Sequence, residues 1–410
     1  MRRNPLVWAA AMALLFAALA PAADSSRDEL CNQAGGIASQ IAVISGLKLH
    51  HPVPCDLITK DQVNQFLKQR VKEATTPEDI RAEELTLKKF GLVPADFDLE
   101  KATVDLLTEQ AAAFYDYDKK KLFVTESTIP ATQGPVLAHE LSHAIADQNF
   151  NLGRFIRQGR KSDDGATARL AIMEGQATWL MSEYLARQLG ESLKSSPSLV
   201  RMMTALTDSS GQFPVFDSAP LYLRQTLIFP YTKGMLFQQA VIERDGDEGF
   251  AEVFRRPPVS TQQILHPDKY FDNTQPEPPP LPDSKLPRSY KELTGGSVGE
   301  LDHSLLLEQF LGKAAADDIS PHWRGAVYAL REDKKAGRVV LLYAVQWDGP
   351  EIARRYFDAY RQIMGKKWKK MEIASDAGGV LTGTGDDGRF ELRLDGAVVT
   401  SLEGLPPAIN

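Results

Sequence analysis

The chain of 410 residues has only two cysteines, Cys31 and Cys55. Neither has a partner at the tight Cys-x-x-Cys spacing of structural zinc sites, so ligation of a metal by this pair is not expected. After residue 23 the sequence also lacks any charge-free apolar run of the ~20 residues needed to cross a bilayer. Blocks of like charge are missing as well: 47 Lys and Arg stand against 54 Asp and Glu, a net −7 mixed along the chain. That distribution argues against nucleic acid or an anionic membrane as the main partner. No internal repeat is present, and the one low-complexity stretch is rich in proline. What remains is ordinary for a soluble globular protein, with 43% hydrophobic and 25% charged residues, enough to bury a core. The length exceeds that of one small domain, so two or three folding units are expected.

Residues 1–23 read as a secretory signal. Arg2 and Arg3 precede an apolar run over 6–19, and small residues follow over 20–23, the order of charge, apolar stretch and cleavage site that export signals use. An uncleaved anchor is the alternative, and Cys31 lies too far on for a lipoprotein. The expected location is therefore secreted or periplasmic, with no stable membrane span once the signal is removed. In such an oxidising compartment Cys31 and Cys55 are expected to form a disulfide, the alternative being two buried free thiols.

One break in the chain is plain. Over 276–287 (PEPPPLPDSKLP) half the positions are proline, a composition that favours extended backbone and feeds neither helix nor sheet. It divides a mostly helical part from one with strand-like runs. In the first part, 61–71 and 81–90 have helical apolar spacing, and Gly91 stops the second. Residues 111–115 and 122–125 flank a polar turn and read as a hairpin. The pair Gly134-Pro135 marks the start of a helix running through PVLAHELSHAIADQNF, and residues 166–189 form the next. In the second part, runs from Trp323, Arg338 and Gly388 read as strands, and a helix starts at Pro350. The fold class is thus α+β, the second part being a helix on an antiparallel sheet.

His139-Glu140-Leu141-Ser142-His143 is an HExxH pattern. On a helix, residues four apart lie one turn above the other, so both imidazoles reach one ion, while Glu140 sits beside it as a base for an activated water. Apolar Val136, Leu137, Leu141 and Ile145 argue that this helix is buried, where an imidazole needs a partner. A catalytic zinc site needs a third protein ligand and an open position. Glu174, in AIMEGQATWL on the next helix, lies among residues able to be buried, and coordination removes the cost of burying its charge. The bland alternatives are surface histidines and a surface glutamate.

These residues resemble the gluzincin metallopeptidases, in which HExxH supplies two ligands and the general base and a Glu on a following helix supplies the third. Glu174-Gly175-Gln176-Ala177 is similar to the Asn-Glu-Gly-x-Ala stretch of the M1 branch, with Met173 where Asn is usual. Tyr231-Thr232-Lys233-Gly234 is similar to that branch's Tyr-x-Lys-Gly segment, which makes Tyr231 the expected oxyanion stabiliser. Without the resemblance, a Tyr in this setting reads as a packed aromatic. The Gly-x-Met-Glu-Asn segment that binds a substrate α-amine is absent, so exopeptidase action is not implied. The resemblance implies a zincin-like domain over 111–275, after a helical region over 24–110 and before the proline linker at 276–287 and an α+β domain of unassigned role over 288–410.

The expected function is extracytoplasmic, zinc-dependent hydrolysis of peptide bonds in a peptide or protein substrate. His139, His143 and Glu174 would hold Zn2+, Glu140 would act as base, and Tyr231 would stabilise the oxyanion. Asp147 and Thr178 are expected either to support the ligands or to serve the helices alone. His266 is expected to be structural or to line the cleft. Residues 121–126 are expected to be the edge strand to which a peptide adds. Two other readings compete: a zinc hydrolase of non-peptide bonds, and a non-catalytic secreted or envelope binding protein with a structural or vestigial metal site.

Overall fold

A computed structural model describes residues 27–59, 61–66, 69, 75–110, 113–125, 130–207 and 213–407. The expected signal segment over 1–23 and part of the expected helix over 61–71 lie outside them. The helices that matter below are α1 (Arg27–Ser45), α2 (Pro77–Phe90), α3 (Pro130–Phe150), α4 (Asp163–Gln188), α5 (Leu221–Asp245), α6 (Glu300–Leu311) and α7 (Pro350–Lys367), with further helices between them. The strands are β1 (Cys55–Ile58), β2 (Ala113–Asp116), β3 (Lys121–Thr125), β4 (Lys291–Ser297), β5 (Trp323–Asp333), β6 (Arg338–Trp347), β7 (Glu372–Ala377), β8 (Val380–Gly385), β9 (Gly388–Asp395) and β10 (Val398–Leu405). The chain is α+β. Among the described residues none of the helices is long and apolar enough to cross a membrane.

Local chemistry sets most of the helix ends. α2 starts with a capping box, in which the Thr76 hydroxyl accepts from Asp79 N–H and the Asp79 carboxylate from Thr76 N–H, and it stops at Gly91 with φ 79°, a conformation that costs glycine little. α4 starts at Ser162, whose hydroxyl accepts from Gly165 N–H, with Asp163 and Asp164 in the first turn, where carboxylates favour the helix dipole. α3 departs from the expected start at 134–135: it begins at Pro130 and carries Pro135 inside. The hydrogen bond that proline forfeits is tolerated because burial holds the helix, with Val136, Leu137, Leu141 and Ile145 almost inaccessible.

The small sheet has the order β1-β3-β2, with β1 parallel and β2 antiparallel to β3. The expected hairpin is β2–β3, but β3 is its central strand. This corrects the assignment of 121–126 as a free edge: β1, too short to stand out in the sequence, takes that edge, and β2 is the outer strand on the other side. Cys31 and Cys55 are disulfide-bonded, tying α1 to the first residue of β1.

The large sheet has the order β4-β5-β6-β10-β9-β8-β7, every neighbouring pair antiparallel. The proline segment lies along it without helix or strand: Glu277 N–H donates to the Arg324 carbonyl at 2.7 Å, and Leu281 and Leu286 pack on Tyr290, Val340 and Leu342. The division at the prolines is one of secondary structure, because the apolar core is continuous. One cluster runs from Phe90, Ile172 and Phe229 of the helical part into Leu301, Leu341, Tyr343 and Tyr356. Phe90 meets both Tyr328 and Tyr343 edge to face. The start of α4 is held from the same side, through Ser162 Oγ to Ser297 Oγ at 2.9 Å and Asp164 N–H to Ser297 Oγ at 3.2 Å.

One group at this junction is poorly placed for stability. Glu83 on α2 is buried with neither carboxylate oxygen partnered among the described residues, and burial, then the charge of Asp163, push its pKa well above the usual carboxylate range. A carboxyl raised in the folded state binds more protons than in the unfolded chain at any pH between the two pKa values, so stability falls as pH rises from ~4.3. Glu83→Gln removes that loss. Urea unfolding should show the variant more stable by about 1–3 kcal/mol at pH 7, with the difference closing below pH 4. Equal stability at pH 7 would show that Glu83 is not strained by burial.

Candidate metal centre

α3 places His139 and His143 one turn apart, and α4 crosses beside it, carrying Glu174. The three side chains meet in the interior, at 1%, 6% and 0% residue exposure. His139 Nε2 lies 3.2 Å from Glu174 Oε2 and 3.2 Å from His143 Nε2, and His143 Nε2 lies 3.4 Å from Glu174 Oε2. They are the one such group of three metal-ligating side chains among the described residues.

The triangle they make fits zinc. Ligand bonds of 2.0–2.1 Å at tetrahedral angles place donor atoms ~3.3 Å apart, the spacing of all three pairs here. Two imidazole nitrogens and one carboxylate oxygen are also the donor set of catalytic zinc sites. Around the triangle, polar atoms lack partners among the described residues: Glu174 Oε1, Glu140 Oε1, His139 Nδ1 and Thr178 Oγ1 are all buried without a hydrogen bond. Burial raises the Glu140 pKa to about 8, and the Glu174 charge adds to this against the pull of His143 and of Tyr115 N–H. For Glu174, burial acts upward, but His143 and His139 outweigh it and bring the pKa down to about 2. A cation at the triangle would be a partner for the Glu174 carboxylate and the two Nε2 atoms and would favour ionised Glu140 as well.

Glu140 projects beside the triangle. Its Oε2 accepts from the N–H of Tyr115 on β2 at 2.7 Å, which fixes the carboxylate and leaves Oε1 without a partner among the described residues. Tyr231, on α5, is 3% exposed, and its ring stacks on that of His139 with centroids 6.1 Å apart. The five residues singled out in the sequence are therefore brought together.

The crossing of α4 and α5 explains how. A Cβ on Gly175 would lie 2.1 Å from the Gly234 carbonyl carbon, and one on Gly234 would lie 2.1 Å from the Ala171 carbonyl oxygen, so the two backbones touch at these glycines. Glu174 is next to one of them and Tyr231 is one turn before the other. The glycines of the two motifs are thus the contact that sets both side chains against α3.

Other expectations change. Asp147 does not reach an imidazole: its oxygens accept from Tyr115 Oη at 2.9 Å, Lys120 Nζ at 2.7 Å and Leu152 N–H at 2.9 Å, so it fixes β2 and the helix that follows α3. Thr178 is buried on the Glu174 face with no partner for its hydroxyl among the described residues, and it does not orient a ligand. His266 pairs with Glu300 at 2.7 Å, at the start of α6. Tyr115 was missed. Its contacts lie far away in sequence, and only the hairpin's position beside α3 brings it to Glu140.

Compared with protein-family models, with curated proteins and with solved structures, the chain matches none.

Proposed function

We propose that the protein is an extracytoplasmic zinc-dependent metallopeptidase of gluzincin type, with a zincin-like catalytic part. The observation that carries this reading is the buried His139–His143–Glu174 triangle with zinc-like spacings, flanked by a fixed carboxylate that is not one of its corners. His139, His143 and Glu174 would hold the ion. Zinc there supplies Lewis-acid activation of water and of the scissile carbonyl. Glu140 takes the proton from the attacking water through Oε1 and delivers it to the leaving amine. The Tyr231 hydroxyl donates to the oxyanion that forms on the carbonyl. With β3 enclosed between β1 and β2, the buried strand β2 serves the site through its Tyr115 N–H, which holds Glu140. The Cys31–Cys55 disulfide supports an oxidising location, secreted or periplasmic.

Metal analysis and digestion test this together. Purified mature protein should carry one zinc per chain and degrade unfolded casein; a chelator should abolish degradation, and added zinc should restore it. A metal-free protein indifferent to chelator would favour the non-catalytic binding reading, and a zinc protein inert toward peptides would favour hydrolysis of another bond.

A further inference from the structure

Among the described residues, Arg224 is a cation with no counter-ion. It lies near the start of α5, partly buried, with its Nε sealed from solvent and no hydrogen bond or ion pair among the described residues. Only its stem and Nε are covered, so the two terminal nitrogens are left to pair with a carboxylate or phosphate, the anions that a planar guanidinium matches. The register of α5 says which way it faces. Arg224 and Tyr231 are about two turns apart and so share one stripe of the helix, whereas Tyr222 and Tyr231 are about two and a half turns apart and face opposite sides. Tyr231 packs on His139, and Tyr222 donates to Asp302 of α6 at 2.9 Å. Arg224 therefore lies on the metal side, away from the large sheet. Gln238, about two turns beyond Tyr231 on the same stripe, also has both amide atoms buried and unpartnered among the described residues.

We propose that Arg224 is the anion anchor of the metal centre and that the preferred peptide carries a carboxylate, either an Asp or Glu side chain or a free C-terminus, within about three residues of the scissile bond. The distance follows from two rises: two helical turns span ~10.5 Å, and an extended peptide advances ~3.3 Å per residue. A planar guanidinium binds a carboxylate bidentately, so the site selects for shape as well as charge. This inference rests on the metallopeptidase reading and goes beyond it by naming the substrate class.

The test uses the zinc-loaded full chain and a mixed library of unstructured peptides, with cleaved bonds located by mass spectrometry. Matched peptides then differ only by Glu or Gln, or by a free or amidated C-terminus, at the selected position. The acidic member should be preferred in kcat/KM by at least about tenfold, the usual effect of one hydrogen-bonded charge. Arg224→Met should bring that ratio close to one, and Arg224→Lys should restore part of it. A ratio near one in the unaltered enzyme, or an undiminished ratio in Arg224→Met, would overturn the proposal while leaving the peptidase reading intact. If no library member is cleaved, the peptidase reading fails. The anchor is then judged by calorimetry on the zinc-loaded chain, where equal affinity for a peptide with a free C-terminus and for its amidated twin overturns it too.

Discussion

Glu140→Gln should keep its zinc and lose peptide cleavage by about 10²- to 10⁴-fold, the range expected for removing a general base. The substitution is close to isosteric, and a Gln oxygen can still accept from Tyr115 N–H, the bond that holds the carboxylate at 2.7 Å. The three corners of the triangle do not involve this residue, so metal content should be unchanged. What disappears is an oxygen able to take up a proton. Metal analysis and kcat/KM on the same preparation decide the matter. Activity within tenfold of the unaltered enzyme would exclude Glu140 as the base, and loss of zinc would make it a ligand.

Gly175→Ala and Gly234→Ala should each destabilise the fold by about 3 kcal/mol or more, above the ordinary cost of overpacking, because the new methyl meets backbone that has no rotamer to give way. Each Cβ would sit 2.1 Å from main-chain atoms of the other helix. α4 and α5 must then separate, taking Glu174 from the imidazoles and Tyr231 from His139. Denaturant unfolding should also show the double variant losing less than the sum of the single losses, since one separation relieves both clashes. Changes of only a few tenths of a kcal/mol in both single variants would show that the helices have room to spare.

These two outcomes depend on unequal parts of what could be read in advance. The ligand triad was legible because one helical turn fixes the relation of His139 to His143, and because a buried Glu174 needs a reason. Tyr231 came only through resemblance: nothing in its local setting distinguishes a catalytic phenol from a packed ring. The outer strand was misplaced because β1 is a short strand whose partner β3 lies far along the chain, and strand order is a long-range property that no local pattern records. In the second half the strands from Trp323 and Arg338 and the helix from Pro350 stood out by period. β4, β7, β8 and β10 did not: glycine and polar residues interrupt them, and β7 is exposed throughout. α6 was also missed, although Gly299 N–H donating to Asp302 at 2.7 Å provides a start signal. Arg224 could not be found from sequence at all, since a lone arginine near the start of a helix reads as a solvated one.

The serine contacts at the start of α4 join the part of the chain beyond the prolines to the helix that carries Glu174. The helix that bears Glu174 is moored at its first turn by Ser297 of the large sheet, and its flank is sealed by the shared apolar interior. Cutting the chain at the prolines would not release an independent tail. It would bare two greasy faces and unmoor the beam on which Glu174 stands, so the last hundred-odd residues act as a foundation for the His139–His143–Glu174 triangle.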